Sequence, residues 1–573
     1  MKQFQKYGIA AAVASVAAGA VADMSTTETG DLAIIPYYTV LDGKNTGMHI
    51  INTTDSTQVV KVRLRRGADS KDALDFNLVM SPRDEWTANI GAGGDTGVQI
   101  TTNDNTCTVP AFDNGVAQMP DTYSEGATEG YVEIIAMGQP IDNPTTGIAA
   151  ESQHLAVGAE HTTAGVPLSC DIVRRNFFRV AATSVGTAEI KGTHTSNLVS
   201  SGFCTGVNNS IAGTQSALCE GGDAQNLTLM GDSVANALKV SFFVTDSDGG
   251  LEAGDNAVMV SGFAGAPMMT NQQPLSFGTA GVLEFDPLNF ELPNLAYGAY
   301  KSSVTARATA AASAITDGSL FDGFRKATDA EALINDWASF EAADGSSVAA
   351  DWVVTLPGQY TMANPICEVY KAYTLATTAC NTAAALAASK DQDELPLVLA
   401  SSTTVNPLAG NSNLALWDRE EKELSNPDAP GDDELGFSPG GSAGDPTQLA
   451  ILNREVNVIS WNGMSVLNTA DTQEEDLGLG VNVDVPDADR GWAKLTIVPQ
   501  TAAGGTWSLS GTDDGNVLPT SDAKANVPSG SFRDVANPNA TSAVGFAIWE
   551  RQFEGQAGNY GRMVEHSTIS SAR

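Results

Sequence analysis

The stretch Val59-Val60-Lys61-Val62-Arg63-Leu64-Arg65 indicates the fold class of this chain most directly, because apolar and basic residues alternate along it. Successive side chains of a β-strand point to opposite faces, so this alternation predicts a strand. We expect Val60, Val62 and Leu64 to face the core and the basic residues to face water.

Similar short runs rich in β-branched and aromatic residues occur on both sides of this stretch, separated by turns rich in Asn, Asp, Gly and Ser. They lie at residues 33–40, 48–51, 73–78, 131–137, 239–244, 257–263, 351–356, 395–400, 455–461, 493–498 and 544–549. Strands at this spacing without interleaved helices predict a mainly β protein built from antiparallel β-sandwich domains.

Helical patterns are few and fall within residues 302–340. Residues 302–315 are rich in alanine, and residues 328–331 have the form of a capping box. An apolar stripe at helical spacing follows, formed by Leu333, Ile334, Trp337 and Phe340. These patterns predict a short helical insertion that covers one sheet.

The 573 residues are enough for more than one domain with its own core. We expect an N-terminal β-sandwich domain over residues 23–270 and a C-terminal β domain over 271–573 with the helices near 302–340. Residues 418–445 are acidic and rich in Pro and Gly, which predicts a long exposed loop.

The first 22 residues have the pattern of a secretory signal peptide. Lys2 and Lys6 precede a run of small apolar residues over 8–21, which ends in Ala20-Val21-Ala22. No later stretch reaches the roughly 18 uninterrupted apolar residues of a membrane span. We therefore expect a mature chain without a transmembrane segment, secreted to the extracellular space or the outer cell surface.

Six cysteines, an even number in an exported chain, predict disulfides. They are Cys107, Cys170, Cys204, Cys219, Cys367 and Cys380. Proximity in the sequence favours Cys204–Cys219 and Cys367–Cys380, which leaves Cys107–Cys170, although six cysteines allow 15 pairings.

The formal net charge of −38 limits the partners of this protein. Binding to nucleic acid or to anionic lipid needs a basic surface, so we expect neither partner. The content of hydrophobic residues, 42%, is too high for a disordered chain.

Familiar catalytic motifs lack the structural context that their chemistry needs, so we predict no catalytic residue. Residues 440–444 match G-x-S-x-G but lie in the Pro/Gly-rich acidic loop rather than between a strand and a helix. The five histidines form no H-E-x-x-H motif. A pair of catalytic carboxylates stays open, because 68 acidic residues make no single pair informative.

Calcium is the inorganic partner that the sequence favours, since Ca²⁺ binds oxygen ligands on turn loops. Two acidic clusters could hold it: Asp246, Asp248 and Asp255 in the first, and Asp484, Asp487 and Asp489 in the second. Neither follows the EF-hand pattern, and acidic turns in an acidic protein are the simpler explanation of both clusters.

Several segments together resemble a family of uncharacterised exported surface proteins of Gram-negative bacteria. They are 30–38, 351–355, 417–420, 455–458, 545–551 and 559–561. The resemblance implies bacterial export and no particular activity. The Lys-poor, acidic composition, rich in Ala, Gly, Thr, Ser, Asn and Asp, is also similar to that of surface-layer proteins.

Three functions follow as hypotheses. The leading one is a non-enzymatic extracellular or cell-surface structural protein that self-assembles with calcium or contacts cell-envelope components. The first alternative is a secreted adhesin or carbohydrate-binding protein, in which Trp417 or Trp461 stacks on glycan rings, although apolar neighbours favour core packing for Trp461. The second is a secreted hydrolase with an unidentified carboxylate pair.

The calcium hypothesis predicts that residues 23–573 grow into large ordered particles in several millimolar calcium and return to small species in chelator. Light scattering measures both states. A monomer under both conditions would contradict calcium-dependent assembly.

Overall fold

The structure is a computed structural model of this chain. The described residues are 23–24, 27–68, 70, 72–94, 97–119, 124–140, 156–177, 230–231, 236–246, 250–263, 275–277, 283–285, 293–295, 324, 327–357, 414–420, 436–438, 452, 454–470, 478–485, 488–497, 501–502, 506–507, 541–553 and 559–570. We call the part up to residue 263 the N-terminal half and the part from residue 275 the C-terminal half.

The regular elements described in the N-terminal half are mostly strands, of two to twelve residues each. They are β1 (Asp23–Met24), β2 (Leu32–Thr39), β3 (Lys44–Asn52), β4 (Gln58–Arg66), β5 (Asp72–Met80), β6 (Glu85–Ala92), β7 (Val98–Thr101), β8 (Cys107–Val109), β9 (Val116–Gln118), β10 (Glu129–Pro140), β11 (Met230–Gly231), β12 (Leu238–Asp246), β13 (Leu251–Asn256) and β14 (Val258–Ser261). A short helix, α1 (Cys170–Phe177), lies between β10 and β11.

The C-terminal half continues the same pattern. Its strands are β15 (Leu275–Phe277), β16 (Leu283–Phe285), β17 (Asp329–Ala330), β18 (Ala332–Glu341), β19 (Ser346–Thr355), β20 (Leu414–Trp417), β21 (Gly436–Ser438), β22 (Val456–Trp461), β23 (Gly480–Asp484), β24 (Arg490–Thr496), β25 (Thr501–Ala502), β26 (Thr506–Trp507), β27 (Thr541–Ser542), β28 (Val544–Phe553), β29 (Tyr560–Glu565) and β30 (Ser567–Ile569). The prediction of a mainly β protein with antiparallel sheets is confirmed. No helix in the described part of the chain is long and apolar enough to span a bilayer.

Two antiparallel sheets form the described part of the N-terminal half. Sheet A has the order β1-β14-β2-β10-β4-β5-β8, with β11 beside the end of β10, and sheet B has the order β13-β12-β3-β6-β7-β9. Strand β2 of sheet A contacts β12, β3 and β6 of sheet B. Apolar side chains from both sheets, among them Ile34, Ile50, Val62 and Trp86, share one core.

The C-terminal half bends one continuous set of strands into two layers, with β18 as the corner. Residues 332–338 of β18 pair with β24, and residues 339–341 pair with β19. We call β20, β24, β18 and β30 the outer sheet, and β19, β22, β23, β21, β28 and β29 the inner sheet. A second core lies between them, and Trp337, Trp352 and Trp461 meet there. The pairs are antiparallel except β22 with β23, which run parallel.

The inner sheet buries both of its faces, and this joins the two halves. On β19, Trp352 and Val354 belong to the core of the C-terminal half, whereas Ala349 and Val353 belong to the core of the N-terminal half. The Thr355 hydroxyl donates to the Pro36 carbonyl over 2.6 Å. Within the described ranges strands pair only inside their own half, yet the main hydrophobic core spans both.

The helix predicted over residues 328–340 is wrong. This segment forms β17 and β18, while residues 302–323 lie outside the described part. On β18, Leu333 and Trp337 point into the core between the two layers, and Phe340 lies on the opposite face beneath the Arg490 guanidinium. The four apolar residues therefore lie on two different faces of a strand. Pairing with β24 determines the structure of this segment, although its apolar residues have helical spacing.

The predicted acidic loop over residues 418–445 contains a strand. Gly436–Ser438 forms β21 and pairs with Asn482–Asp484 of β23. Residues 418–420 follow β20 as a turn, and the rest of this segment lies outside the described residues.

The water-facing side predicted for Lys61, Arg63 and Arg65 is buried, although the alternation itself is confirmed. Acidic residues on the neighbouring strands bind this row: Lys61 and Arg63 share Asp75, and the Arg65 Nε donates to Glu133 over 3.0 Å. Because the partners come from β5 and β10, the sequence of β4 alone does not reveal them.

The Arg65–Glu133 pair yields a stability prediction. Both side chains are fully buried, so Glu133→Gln removes the counter-charge of a buried guanidinium and should lower the free energy of unfolding by about 3–5 kcal/mol. The exposed pair Arg83–Asp55 is the matched control, and Asp55→Asn should cost less than about 1 kcal/mol. Urea unfolding of both variants measures the difference, and equal losses would contradict the prediction.

Candidate functional site

The predicted disulfides are represented by one pair in the described residues. Cys107 of β8 and Cys170 at the start of α1 form a disulfide, as expected. The helix thereby lies against the end of sheet A, where Val173 packs with Val59 and Val79. Cys204, Cys219, Cys367 and Cys380 lie outside the described residues.

The first predicted calcium cluster is spread along a hairpin. Asp246 ends β12 opposite Leu251, whereas Asp255 lies opposite Phe242, four residues further along the ladder. At the rise of a β-strand this offset is about 13 Å, too far for one ion. Asp248 lies outside the described residues.

The second cluster is described only in part, because Asp487 is outside the described residues. Asp484 accepts a hydrogen bond from the Asn482 amide over 2.8 Å, and Asp489 lies 3.5 Å from the Arg490 guanidinium. In the described chain no three His, Cys, Asp or Glu side chains are grouped so that they could hold a metal ion. Calcium binding therefore stays a prediction.

A serine, a histidine and an aspartate meet beside the disulfide, yet they do not form a catalytic triad. The Ser81 Oγ lies 2.9 Å from the His161 Nδ1, and the Asp84 Oδ2 lies 3.8 Å from the same ring nitrogen. In a triad the serine and the aspartate bind opposite nitrogens, so that the aspartate orients the base. Burial raises the pKa of Asp84, and this carboxylate is also held by the Ser81 amide and the Thr106 hydroxyl.

The tryptophans singled out in the sequence have different surroundings. Trp461 is fully buried and stacks on Trp337 with ring centroids 5.2 Å apart, which confirms core packing. Trp417 is half-buried at the end of edge strand β20 and stacks on Trp492, which is 37% exposed. The Trp417 and Trp492 rings are 3.9 Å apart and nearly parallel, at 9°.

These two indoles belong to one row on the solvent side of the outer sheet. Trp417 pairs with Trp492, and Trp492 pairs with the exposed Asp336 of β18. Lys494 occupies the same face one position along, since side chains two residues apart on a strand share a face. The row therefore carries an aromatic pair next to an acid and a base.

The orientation of the indoles follows from their stack. The two rings come from neighbouring strands and stack face to face. Each ring plane is therefore roughly perpendicular to the line that joins the two strands. One face of Trp417 then points beyond edge strand β20, where the outer sheet ends among the described strands. The Asp336 carbonyl accepts a hydrogen bond from the Trp352 indole over 2.8 Å, which ties this row to the core beneath it.

A second cluster of polar groups is buried where the two halves meet. Glu129, at the start of β10, accepts hydrogen bonds from the Tyr37 hydroxyl and, over 2.6 Å, from the Thr469 hydroxyl of the C-terminal half. Burial raises the pKa of Glu129 to about 7, although these two hydrogen bonds and the charge of Lys44 favour the ionised form.

Asp351 of β19 faces the same junction from the other side. Its Oδ2 accepts from the Ser465 hydroxyl and from the amides of Val466 and Leu467, over 2.7–2.9 Å. Its Oδ1 is buried and has no hydrogen-bond partner among the described residues. Burial raises the pKa of Asp351 to about 6 despite the three bonds.

Sequence reasoning missed the residues that these two clusters depend on. Trp492 stands alone in its segment, and only the β20–β24 register places it against Trp417. Glu129 and Asp351 are two among 68 acidic residues, and neither lies in a motif. An acidic residue inside a strongly apolar run, as Asp351 is before Trp352, is the one signal that points to burial.

A scan against protein-family models and searches of curated proteins and of solved structures found no match to this chain. The family resemblance drawn from the sequence therefore stays an expectation. A function for this chain has to be proposed from its own geometry.

Proposed function

We propose that this chain is an exported, non-enzymatic carbohydrate-binding protein that holds neutral glycans on the outer sheet through Trp417 and Trp492. The observation that carries the proposal is the indole pair on the solvent side of the sheet, in line with the exposed Asp336.

The chemistry of a sugar ring suits this row. A pyranose presents C–H groups on its face, which pack on an indole, and hydroxyls at its rim, which bind charged and amide side chains. Asp336 accepts hydrogen bonds and Lys494 donates them. Asp336 lies opposite Trp492 on β18, and Lys494 is the next residue of β24 on the same face.

The small size of the apolar surface favours a sugar over a protein partner. Among the described residues of β18, β20 and β24, Trp492 is the only large hydrophobic residue that is exposed. Protein partners usually need a larger contiguous apolar patch. The net charge of −38 disfavours anionic polysaccharides, so neutral glycans are the class proposed.

Export is part of this proposal. The pattern of residues 1–22 supports it, and the Cys107–Cys170 disulfide supports it because disulfides persist in oxidising compartments. The chain would then work outside the cell or at the outer cell surface.

Glycan binding ranks ahead of the calcium-dependent self-assembly that the sequence favours. Assembly by strand addition needs long free edges, whereas the edge strands β1, β8, β9, β20, β21 and β30 have two to four residues each in the described chain. The longer edge strands β13 and β29 contact each other.

The test is binding of neutral oligosaccharides of glucose, of galactose and of N-acetylglucosamine, followed by intrinsic fluorescence and calorimetry. Trp492→Ala and Trp417→Ala should each weaken the affinity about tenfold or more, about 1.4 kcal/mol per factor of ten. Tyr560→Ala is the matched control, because this exposed aromatic lies on β29, away from the row. No binding to any glycan, or equal binding by all three variants, would overturn the proposal.

A further inference from the structure

The junction between the two halves holds more buried acid than buried base. Burial raises the pKa of three carboxyl groups in this junction, those of Glu129, Asp351 and Glu550. The buried Lys44, which is 2% exposed, carries a positive charge that lowers all three pKa values. One ammonium group neutralises one carboxylate, so the remaining acids are stable in this place only when they hold protons or reach water.

The other charged groups around the junction do not remove this excess. Asp42 and Asp246 add negative charge near Glu129 and Glu550, respectively. Burial and the charge of Glu129 raise the pKa of Tyr38, and the charge of Arg66 lowers it. Tyr37 stays neutral, because burial and then Glu129 raise its pKa.

Both carboxyl groups can hold a proton in the geometry observed. Asp351 has three donors on one oxygen and none on the other among the described residues, so a proton on Oδ1 removes the buried charge and leaves all three bonds in place. Glu129 is bound by two hydroxyls, and a hydroxyl can accept as well as donate.

We propose that the contact between the two halves is controlled by protons, with Glu129 and Asp351 protonated in the tight form and their ionisation loosening the contact. Glu129 binds Thr469 and Asp351 binds the turn at residues 465–467, so both carboxyl groups lie against the segment of the C-terminal half that contacts β10. These hydrogen bonds favour the ionised carboxylates, but ionisation also places charge without a matching base in a buried junction. Entry of water removes that cost, and water enters only where the two halves separate.

The direction of the pH dependence follows from the raised pKa values. The pKa of Glu129 rises from 4.5 to about 7, and that of Asp351 from 3.8 to about 6. The folded chain therefore holds these protons more tightly than the unfolded chain. The stability they contribute is complete below about pH 4 and is lost as the pH rises through 6 and 7.

His566 acts in the opposite direction and must be separated from this effect. Burial lowers its pKa from 6.5 to about 4, so it reduces stability as the pH falls below 6.5. Its ring binds the Val353 carbonyl and the Asn335 side chain, not the two acids. Comparing the full chain with variants of one carboxyl group cancels its contribution.

The experiment measures the unfolding equilibrium of the full chain by urea between pH 5 and pH 8. In the wild type, ionisation of Glu129 as the pH rises from 5 to 8 should increase the equilibrium constant of unfolding on the order of 50–100-fold, and ionisation of Asp351 should increase it about tenfold. Glu129→Gln and Asp351→Asn should remove their respective parts. Asp55→Asn is the matched control, since this aspartate is 81% exposed and pairs with an arginine rather than with a histidine, and its pH profile should follow the wild type.

Hydrogen exchange locates the effect. After correction for the intrinsic rate, the amides of Val466 and Leu467 should exchange faster at pH 8 than at pH 5 in the wild type, and this difference should shrink in Glu129→Gln. Parallel pH profiles for wild type and Glu129→Gln, or protection of these amides that does not change with pH, would overturn the proposal.

A second variant keeps the test decisive if Glu129→Gln does not fold. Thr469→Val removes one hydrogen bond to the Glu129 carboxylate without a change of charge, so Glu129 should keep its proton to a higher pH. The midpoint of the stability loss should then move upward, and an unchanged midpoint would also overturn the proposal.

Discussion

Strand β2 has no side that faces water, and the architecture depends on this constraint. All eight of its residues are buried, because it lies in sheet A, contacts sheet B on one side and also contacts β19 and β28 of the inner sheet. A strand in this position requires apolar side chains on both faces, and Leu32, Ile34, Ile35, Tyr37 and Tyr38 supply them. The two halves therefore share one core even though their ladders are separate.

A layered β protein of this kind buries polar groups that a two-layer sandwich would leave in water. Each sheet with two covered faces removes a solvent side on which charged residues normally lie. The chain answers this in two ways. On sheet A the buried bases bind acids from the adjacent strands, as Arg65 binds Glu133. At the junction the acids exceed the bases, and hydroxyls and protons stabilise Glu129 and Asp351 instead.

The sequence predicts the strands well and the surroundings of their faces poorly, and the reason is physical. Alternation on β4 is a local property and predicts the strand correctly, whereas the burial of Arg63 depends on Asp75 and on Pro293, which lie far away in the sequence or on another strand. The helical spacing of β18 is misleading because Leu333 and Phe340 lie on different faces. What covers a sheet face is a long-range property, and one sequence without its pairings does not contain it.

The same distinction explains why the two tryptophans singled out in the sequence differ in their surroundings. Trp461 and Trp417 both end strands in the C-terminal half. Trp461 is on the inner sheet and points between two layers, so its indole stabilises the core. Trp417 is on the outer sheet and points away from that core, so its indole stacks on the exposed Trp492 instead. The row formed by Trp417, Trp492 and Asp336 therefore lies on the face of the outer sheet that is turned away from the core.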